Sequence, residues 1–183
     1  MNFRFSFTSK VRRNCTAFSL VEMLFAVMIS SVALATAGMI TIFVTRSYVA
    51  MGNYADLDVA SRNALDTLSR DVRQARALTS FNAHSITLTA NDSSTLTYTY
   101  NPSTSRLTRQ SGAGTSVLLE QCDFLNFHIY QRNPSNNWSW YPVQGNALST
   151  AKLLDVSWKC SRQILGEKVN TESVQTAKIV IRN

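Results

Sequence analysis

The residue with the most unusual chemical setting is Glu22, a carboxylate inside a long apolar stretch. Between Phe18 and Thr45 it is the single ionisable side chain. A charged group surrounded by hydrocarbon is costly, so such residues usually have a partner or mark a function. The natural partner of this carboxylate is an amine close to the start of the stretch. The alternative is that Glu22 lies near the end of a membrane segment and extends to the aqueous interface.

Residue combinations typical of catalysis are scarce. His84 and His128 are far apart, and neither belongs to a cluster with the spacing of metal ligands. The run Asn91-Asp92-Ser93-Ser94 carries oxygen atoms of the kind that bind calcium, but the same residue types favour a hairpin turn, which is our interpretation. We therefore expect no enzyme activity, no metal site, no cofactor and no small-molecule substrate.

The three cysteines are Cys15, Cys122 and Cys160. An odd number leaves one thiol unpaired in an oxidising compartment. Loss of an N-terminal segment that contains Cys15 would leave a pair. Cys122 and Cys160 follow predicted extended segments and could form a disulfide. Two buried thiols that act as small apolar side chains are the alternative, and the spacing does not distinguish them.

An aromatic segment lies within a stretch of polar residues between positions 133 and 142. It contains Trp138, Trp140 and Tyr141 beside Asn, Ser and Pro residues. Exposed aromatic side chains of this kind could bind a partner subunit or a ligand. Because Trp138 and Trp140 alternate, the other interpretation is that they close the edge of a sheet.

The apolar stretch from Phe18 to Thr45 is longer than the ~20 residues that a helix needs to span a bilayer. Four cationic residues and no acidic one precede it, namely Arg4, Lys10, Arg12 and Arg13. This asymmetry places the N-terminus in the cytoplasm and the residues after Arg46 outside. Removing those four charges lowers the formal net charge from +7 to +3. The basic balance therefore belongs largely to the N-terminal segment, and nucleic acid is not an expected partner.

Helical periodicity continues beyond the apolar stretch. Asp58, Arg62, Asp66 and Arg70 alternate in sign at four-residue spacing, where helix side chains meet. Apolar residues recur at steps of three and four, which predicts a helix from about Phe18 to about Leu78 with one face on a core. The stripe consists of Leu57, Ala60, Ala64, Leu65, Leu68, Val72, Ala75 and Leu78.

After Thr79 the pattern changes to short runs rich in Thr, Tyr, Ile and Val, which predicts a β-rich head over residues 80–183. The clearest hairpin joins residues 85–90 to 95–100 and places Ile86, Leu88, Leu96, Tyr98 and Tyr100 on one face. Further strands are predicted at 106–109, 117–120, 124–130, 153–159 and 177–181, with a loop-like region over 133–150.

The run Ala17-Phe18-Ser19-Leu20-Val21-Glu22, with Arg12 and Arg13 upstream, resembles the N-terminal signal of type IV pilins and type II secretion pseudopilins. The resemblance implies cleavage of a leader, residues 1–17, by prepilin peptidase between Ala17 and Phe18. It also implies N-methylation of Phe18 and a role for Glu22 in filament assembly. Two departures are that Ala17 replaces the usual Gly and that the apolar stretch lacks the proline of many major pilins.

A second resemblance rests on the helical run Asp56–Ala77 and on the segments ITL (86–88), LTYTYNPSTSRLTR (96–109) and VLLEQCDFLNFHIYQRN (117–133). In these segments the chain is similar to W-type minor pilins and J-type minor pseudopilins. This resemblance implies an α+β fold in which a long N-terminal helix, with an assembly half at 18–45 and an amphipathic half at 46–79, packs on an antiparallel sheet. It implies other pilin or pseudopilin subunits as partners and a place in a complex at the filament tip. The expected location is the bacterial inner membrane, with the head outside the cytoplasm, and then a pilus or pseudopilus. The alternative from a different class is a single-pass anchored surface binding module that does not polymerise.

Overall fold

Helix α1 begins at Leu20 and ends at Gln74 in the computed structural model, which describes residues 18–135, 139–143, 147–164 and 172–181. The chain separates into two units, Met1–Thr45 and Arg46–Asn183. Since α1 contributes to both units, its two parts are described in turn.

The part of α1 before Arg46 is apolar and fully exposed. It is long and apolar enough to cross a membrane, and none of its most apolar window is buried. A helix of this composition in the core of a soluble domain would be mostly buried. The exposure therefore separates this segment from an ordinary core helix.

The part of α1 from Arg46 to Gln74 buries one face in the head. The buried positions are Leu57, Ser61, Ala64, Leu68, Asp71 and Val72, which recur at steps of three and four, with Asp71 and Val72 adjacent. This spacing places side chains on one side of an α-helix. On the outer side Arg62 Nε lies 2.8 Å from Asp58 Oδ2, at the predicted four-residue spacing. The amphipathic character predicted for this part of the helix is confirmed.

The strands of the described residues form two antiparallel sheets. The first has the order β1-β2-β3-β4-β5 and the second the order β7-β6-β8-β9. The bounds are β1 Ala75–Asn82, β2 Ser85–Ala90, β3 Thr95–Asn101, β4 Arg106–Ser111, β5 Gly114–Leu119, β6 Cys122–Arg132, β7 Trp140–Pro142, β8 Ala151–Ser161 and β9 Glu172–Val180. The α+β fold of a long N-terminal helix packed on antiparallel sheet is confirmed, with two sheets rather than one.

The predicted hairpin is β2 and β3, paired from Ser85–Thr99 to Thr89–Thr95. Its predicted inward face is buried at every position, Ile86, Leu88, Leu96, Tyr98 and Tyr100. The other strand predictions each overlap an observed strand, although β6, β8 and β9 extend further. The short strand β7 lies inside the region that was predicted to be a loop.

The predicted end of the helix is wrong. Helix α1 stops at Gln74, and Ala75 already pairs with Ala90 of β2. Strand β1 has register shifts between Ala75 and Ala77 and between Leu78 and Ser80. In a regular strand every second side chain points to the same face. A register irregularity inserts one extra residue, so two successive inward-facing residues lie three positions apart instead of two. Ala75 and Leu78 thereby imitate helical spacing while they lie in a strand.

The two sheets are joined through the turn between β1 and β2. The Phe127 N–H of β6 donates to the Ala83 carbonyl at 2.9 Å. The His84 ring donates from Nδ1 to the Leu125 carbonyl at 3.0 Å. Residues of both sheets and of α1 share one core, which extends in sequence from Leu57 to Ile181.

Candidate assembly motif and polar contacts of the head

Ser19 caps the start of helix α1, three residues before Glu22. The Glu22 N–H donates to Ser19 Oγ at 3.2 Å, and the Met23 N–H donates to the Ser19 carbonyl at 3.1 Å. Ser followed three residues later by Glu is the pattern of a capping box, in which side-chain oxygens satisfy the first N–H groups of a helix. Glu22 is exposed in the first turn, where the helix dipole favours a negative charge. Phe18 directly precedes this turn and is also exposed.

The hydroxyl groups along the apolar part of α1 all bond to the helix itself. Each donates to a carbonyl three or four residues earlier, at 2.7–2.9 Å. An apolar surrounding offers no water to these groups, so internal bonding removes the penalty of leaving a donor unsatisfied. The donors are Ser30, Ser31, Thr36, Thr41 and Thr45. This surface therefore suits hydrocarbon as well as a packed bundle of helices.

Comparison with known proteins gives one match. Residues 12–38 match the family model described as the prokaryotic N-terminal methylation motif. The motif indicates a type IV pilin-like protein processed by prepilin peptidase. No curated protein and no solved structure matches the chain. The match covers Phe18, Ser19 and Glu22 and the first part of the apolar helix, and together with that helix it supports anchoring in a membrane.

Several predicted site residues lie outside the described residues. Arg12, Arg13 and Ala17 precede them, and Trp138 falls in the gap between 135 and 139. The backbone of Trp140 belongs to β7 and pairs with Arg132, whereas the Trp140 side chain is not among the described parts of the structure. Tyr141 is opposite Gln131 and is 39% exposed. Of the aromatic segment, the structure thus describes the side chain of Tyr141 alone.

An open groove of about 530 Å³ lies beside strand β7. Strands β1 and β6 contribute Phe81, His128 and Tyr130 to its walls, and Pro142, Val143 and Leu148 line it as well. His128 is exposed. In the part of the chain that is described, no group of three or more His, Cys, Asp or Glu side chains could hold a metal ion.

The run Asn91-Asp92-Ser93-Ser94 forms the turn between β2 and β3. Asp92 Oδ1 accepts bonds from the Ser94 N–H at 2.9 Å and from Ser94 Oγ at 2.6 Å. These bonds lower the pKa of the Asp92 carboxyl group, which is stabilised in its charged form. Ser93 has φ 66°, in the left-handed region that tight turns require. The oxygen atoms of Asp92 and Ser94 thus take part in hydrogen bonds within the turn, as the turn interpretation of this run predicts.

Asp71 connects helix α1 to the first sheet. Its Oδ2 accepts a bond from Tyr98 Oη at 2.5 Å and lies 2.7 Å from Arg109 Nε. Burial, then the hydrogen bond to Asp71, raises the pKa of the Tyr98 phenol, and the same carboxylate raises the pKa of Arg109. A largely buried charge is tolerated when it is paired and hydrogen-bonded. Here Arg109 supplies the opposite charge and Tyr98 supplies a hydrogen bond.

Ser61 connects the same helix to the second sheet. Its Oγ accepts a bond from Trp158 Nε1 at 3.3 Å, and both residues are buried. Asp56, five residues earlier, pairs with Arg162 just after β8 at 3.1 Å. Asp71 and Ser61 were not predicted from the sequence, because the buried face of the helix was defined by its apolar residues alone. The available signal was their spacing, since positions 61, 64, 68 and 71 follow the period of the buried face.

Cys122 and Cys160 are paired residues of β6 and β8, and both are buried thiols. The hydrogen bond with Cys122, together with burial, raises the pKa of the Cys160 thiol. The two cysteines that remain if Cys15 is removed are thus brought side by side.

Proposed function

We propose that this protein is a minor pilin-like subunit that assembles through its N-terminal helix into a type IV pilus or a type II secretion pseudopilus. The observation that carries the proposal is the match of residues 12–38 to the N-terminal methylation motif. The exposed apolar helix supports it, because an anchor that later packs against other helices needs such a surface. The protein acts by assembly and not by catalysis.

The proposed pathway begins in the inner membrane, with residues 1–17 in the cytoplasm and the head outside. Prepilin peptidase cuts between Ala17 and Phe18, and the new α-amino group of Phe18 is methylated. Glu22, one helical turn away, then neutralises this amine or that of a neighbouring subunit. Arg12 and Arg13 hold the leader on the cytoplasmic side before cleavage.

Assembly in this proposal transfers the helix from lipid to a bundle of like helices. Both environments are apolar, so the transfer exposes little new apolar surface to water. The Ser and Thr hydroxyls keep their internal bonds in either environment. The remaining polar group is Glu22, and its pairing with an amine offsets the cost of burial.

We further assign the subunit to the tip complex that primes assembly, as the resemblance to W-type minor pilins and J-type pseudopilins suggests. Trp138, Trp140 and Tyr141 then contact a neighbouring subunit, which the exposure of Tyr141 and the adjacent groove support. Cross-linking from position 141 to another subunit in isolated filaments tests this contact.

Mass spectrometry of the mature N-terminus tests the proposal. We expect a chain that starts at Phe18 and carries one added methyl group. Replacing Ala17 by Leu should accumulate the full-length precursor, because the peptidase requires a small residue before the cut. A mature protein that retains Met1, or that is cut near Ala37, would show that this is not a prepilin.

Deletion of the gene distinguishes the two filaments. Loss of surface pili indicates a type IV pilus, and loss of protein secretion with intact pili indicates a pseudopilus. A correctly processed protein whose deletion affects neither would be a single-pass anchored module that does not polymerise.

A further inference from the structure

Cys122 and Cys160 occupy directly opposed positions in the ladder between β6 and β8. The Cys122 N–H points away from β8 and donates to the Ser105 carbonyl at 2.9 Å. The ladder bond falls on the neighbouring pair, where the Ser161 N–H donates to the Gln121 carbonyl at 3.0 Å. Cys122 and Cys160 therefore form a non-hydrogen-bonded pair, which lies at the end of the ladder directly before a register shift of β6 between Cys122 and Phe124.

Opposed residues of this kind have Cα atoms roughly 4.5 Å apart and side chains on the same face. Disulfides bridge Cα separations of about 4.4–6.8 Å. Both side chains point into the core, with exposures of 0% and 1%. The position of the backbone is therefore compatible with a bridge.

We infer that Cys122 and Cys160 form a disulfide between β6 and β8, and that it forms while the head folds and not afterwards. Once the head is folded, no oxidant reaches either sulfur. The pKa of the Cys160 thiol is raised and that of the Cys122 thiol is lowered by the hydrogen bond between them, so burial, and not a lack of thiolate at both sulfurs, is what protects the folded pair.

The oxidant is a disulfide compound, such as oxidised glutathione or a thiol-disulfide oxidoreductase. One cysteine thiolate attacks a sulfur of this compound and displaces one thiolate, which leaves a mixed disulfide. The second cysteine thiolate attacks the sulfur of the first cysteine and displaces the other thiolate. The protein loses two protons and two electrons, and the oxidant is reduced to two thiols.

The full-length chain with Cys15→Ser, solubilised in detergent, gives a direct test that does not depend on processing or assembly. The chain is unfolded with reductant and then refolded with reduced and oxidised glutathione. Iodoacetamide is added under denaturing conditions, and the mass is recorded. We expect no alkylation without reductant and two alkylated cysteines with it, and peptide mapping should join residue 122 to residue 160.

Timing is tested on the same chain refolded in reductant, freed of it, and then exposed to oxidised glutathione. We expect both thiols to survive for much longer than in the unfolded chain. Equal rates of oxidation in the two states would contradict formation during folding. Two alkylatable thiols after refolding in the redox buffer would overturn the disulfide itself.

Stability provides a second measurement. The bridge should raise the midpoint of thermal unfolding by roughly 5–15 °C relative to the reduced chain, since it closes a loop that contains β6, β7 and β8. Cys122→Ala/Cys160→Ala in the same background should unfold at the same temperature with and without reductant. If that variant does not fold, the comparison of oxidised with reduced chain still decides the question. An unchanged midpoint would overturn the inference.

Discussion

The chemistry of this chain is concentrated in carboxylates that lie where carboxylates are rare. Glu22 lies in an apolar helix segment. Asp71 lies on the buried face of the same helix, where it accepts a hydrogen bond from Tyr98 and forms an ion pair with Arg109. Glu22 was identified from the sequence because nothing ionisable surrounds it. Asp71 was not, because a polar residue inside a stripe of apolar ones looks like an interruption, and its partners are distant in sequence.

Removal of the Asp71 charge should destabilise the head. Asp71→Asn leaves the Arg109 guanidinium without its carboxylate, and we expect a loss of about 2–3 kcal/mol in the free energy of unfolding. This is below the ~3–5 kcal/mol of a fully buried pair, because the Arg109 side chain is 24% exposed.

Denaturant unfolding measures this loss, with the exposed Asp66→Asn as the control, which should change the free energy by less than about 0.5 kcal/mol. In the double variant Asp71→Asn/Tyr98→Phe the loss should be smaller than the sum of the single losses, since both act on one network. Equal effects of Asp66→Asn and Asp71→Asn would exclude the assigned role.

Replacement of Glu22 should separate processing from assembly. Glu22→Ala leaves the junction between Ala17 and Phe18 intact, so cleavage should proceed largely as in the wild type. Incorporation should fall, because the amine of Phe18 would be buried without a partner. Immunoblots of membranes and sheared filaments measure the two steps, and filament recovery equal to wild type would refute the role given to Glu22.

At the level of elements, the predictions were correct where the spacing of apolar side chains is compatible with only one type of secondary structure. The β2–β3 hairpin combines strict alternation with a turn of Asn, Asp and Ser, and both strands and the buried face were predicted correctly. The end of α1 was not, because the irregular register of β1 places Ala75 and Leu78 three residues apart. The short strand β7 has too few residues for alternation to be visible.

Leu68 tests the packing of α1 on the sheets. It is fully buried in the core, so Leu68→Ala should cost about 2–5 kcal/mol of unfolding free energy. Val59 on the same helix is 57% exposed, and Val59→Ala should cost less than about 0.5 kcal/mol. Thermal unfolding followed by circular dichroism compares them, and a cost for Leu68→Ala as small as that for Val59→Ala would contradict the packing.

At the level of the whole molecule, the chain joins an apolar assembly unit to a second unit, Arg46–Asn183, in which the helix segment 46–74 and the β-rich head share one core. All residues of that core lie between Leu57 and Ile181, beyond the boundary at Thr45 and Arg46. The α+β class and the membrane segment followed from the sequence, because their signals extend over many residues. The division of the strands into two sheets did not follow, because it depends on pairing between distant segments.

A fragment of residues 46–183 should therefore fold without the apolar segment. We expect a soluble protein with one cooperative thermal transition that retains the helix up to Gln74. A fragment of residues 80–183 lacks Leu57, Ala64, Leu68 and Val72 and should unfold without cooperativity or aggregate. Calorimetry and circular dichroism distinguish these outcomes, and cooperative unfolding of the shorter fragment would show that the helix is dispensable for the core.

Helix α1 passes into strand β1 with no intervening loop, since Gln74 ends one and Ala75 begins the other. A direct connection of this kind has no loop residues that could extend under force. Tension applied to the helix segment 46–74 is carried first by the side-chain bonds of Ser61 and Asp71, which precede Ala75 in the chain, and then directly by the pairing of Ala75 with Ala90. We therefore expect a force on the helix segment to be transmitted to the sheets without an intervening flexible loop.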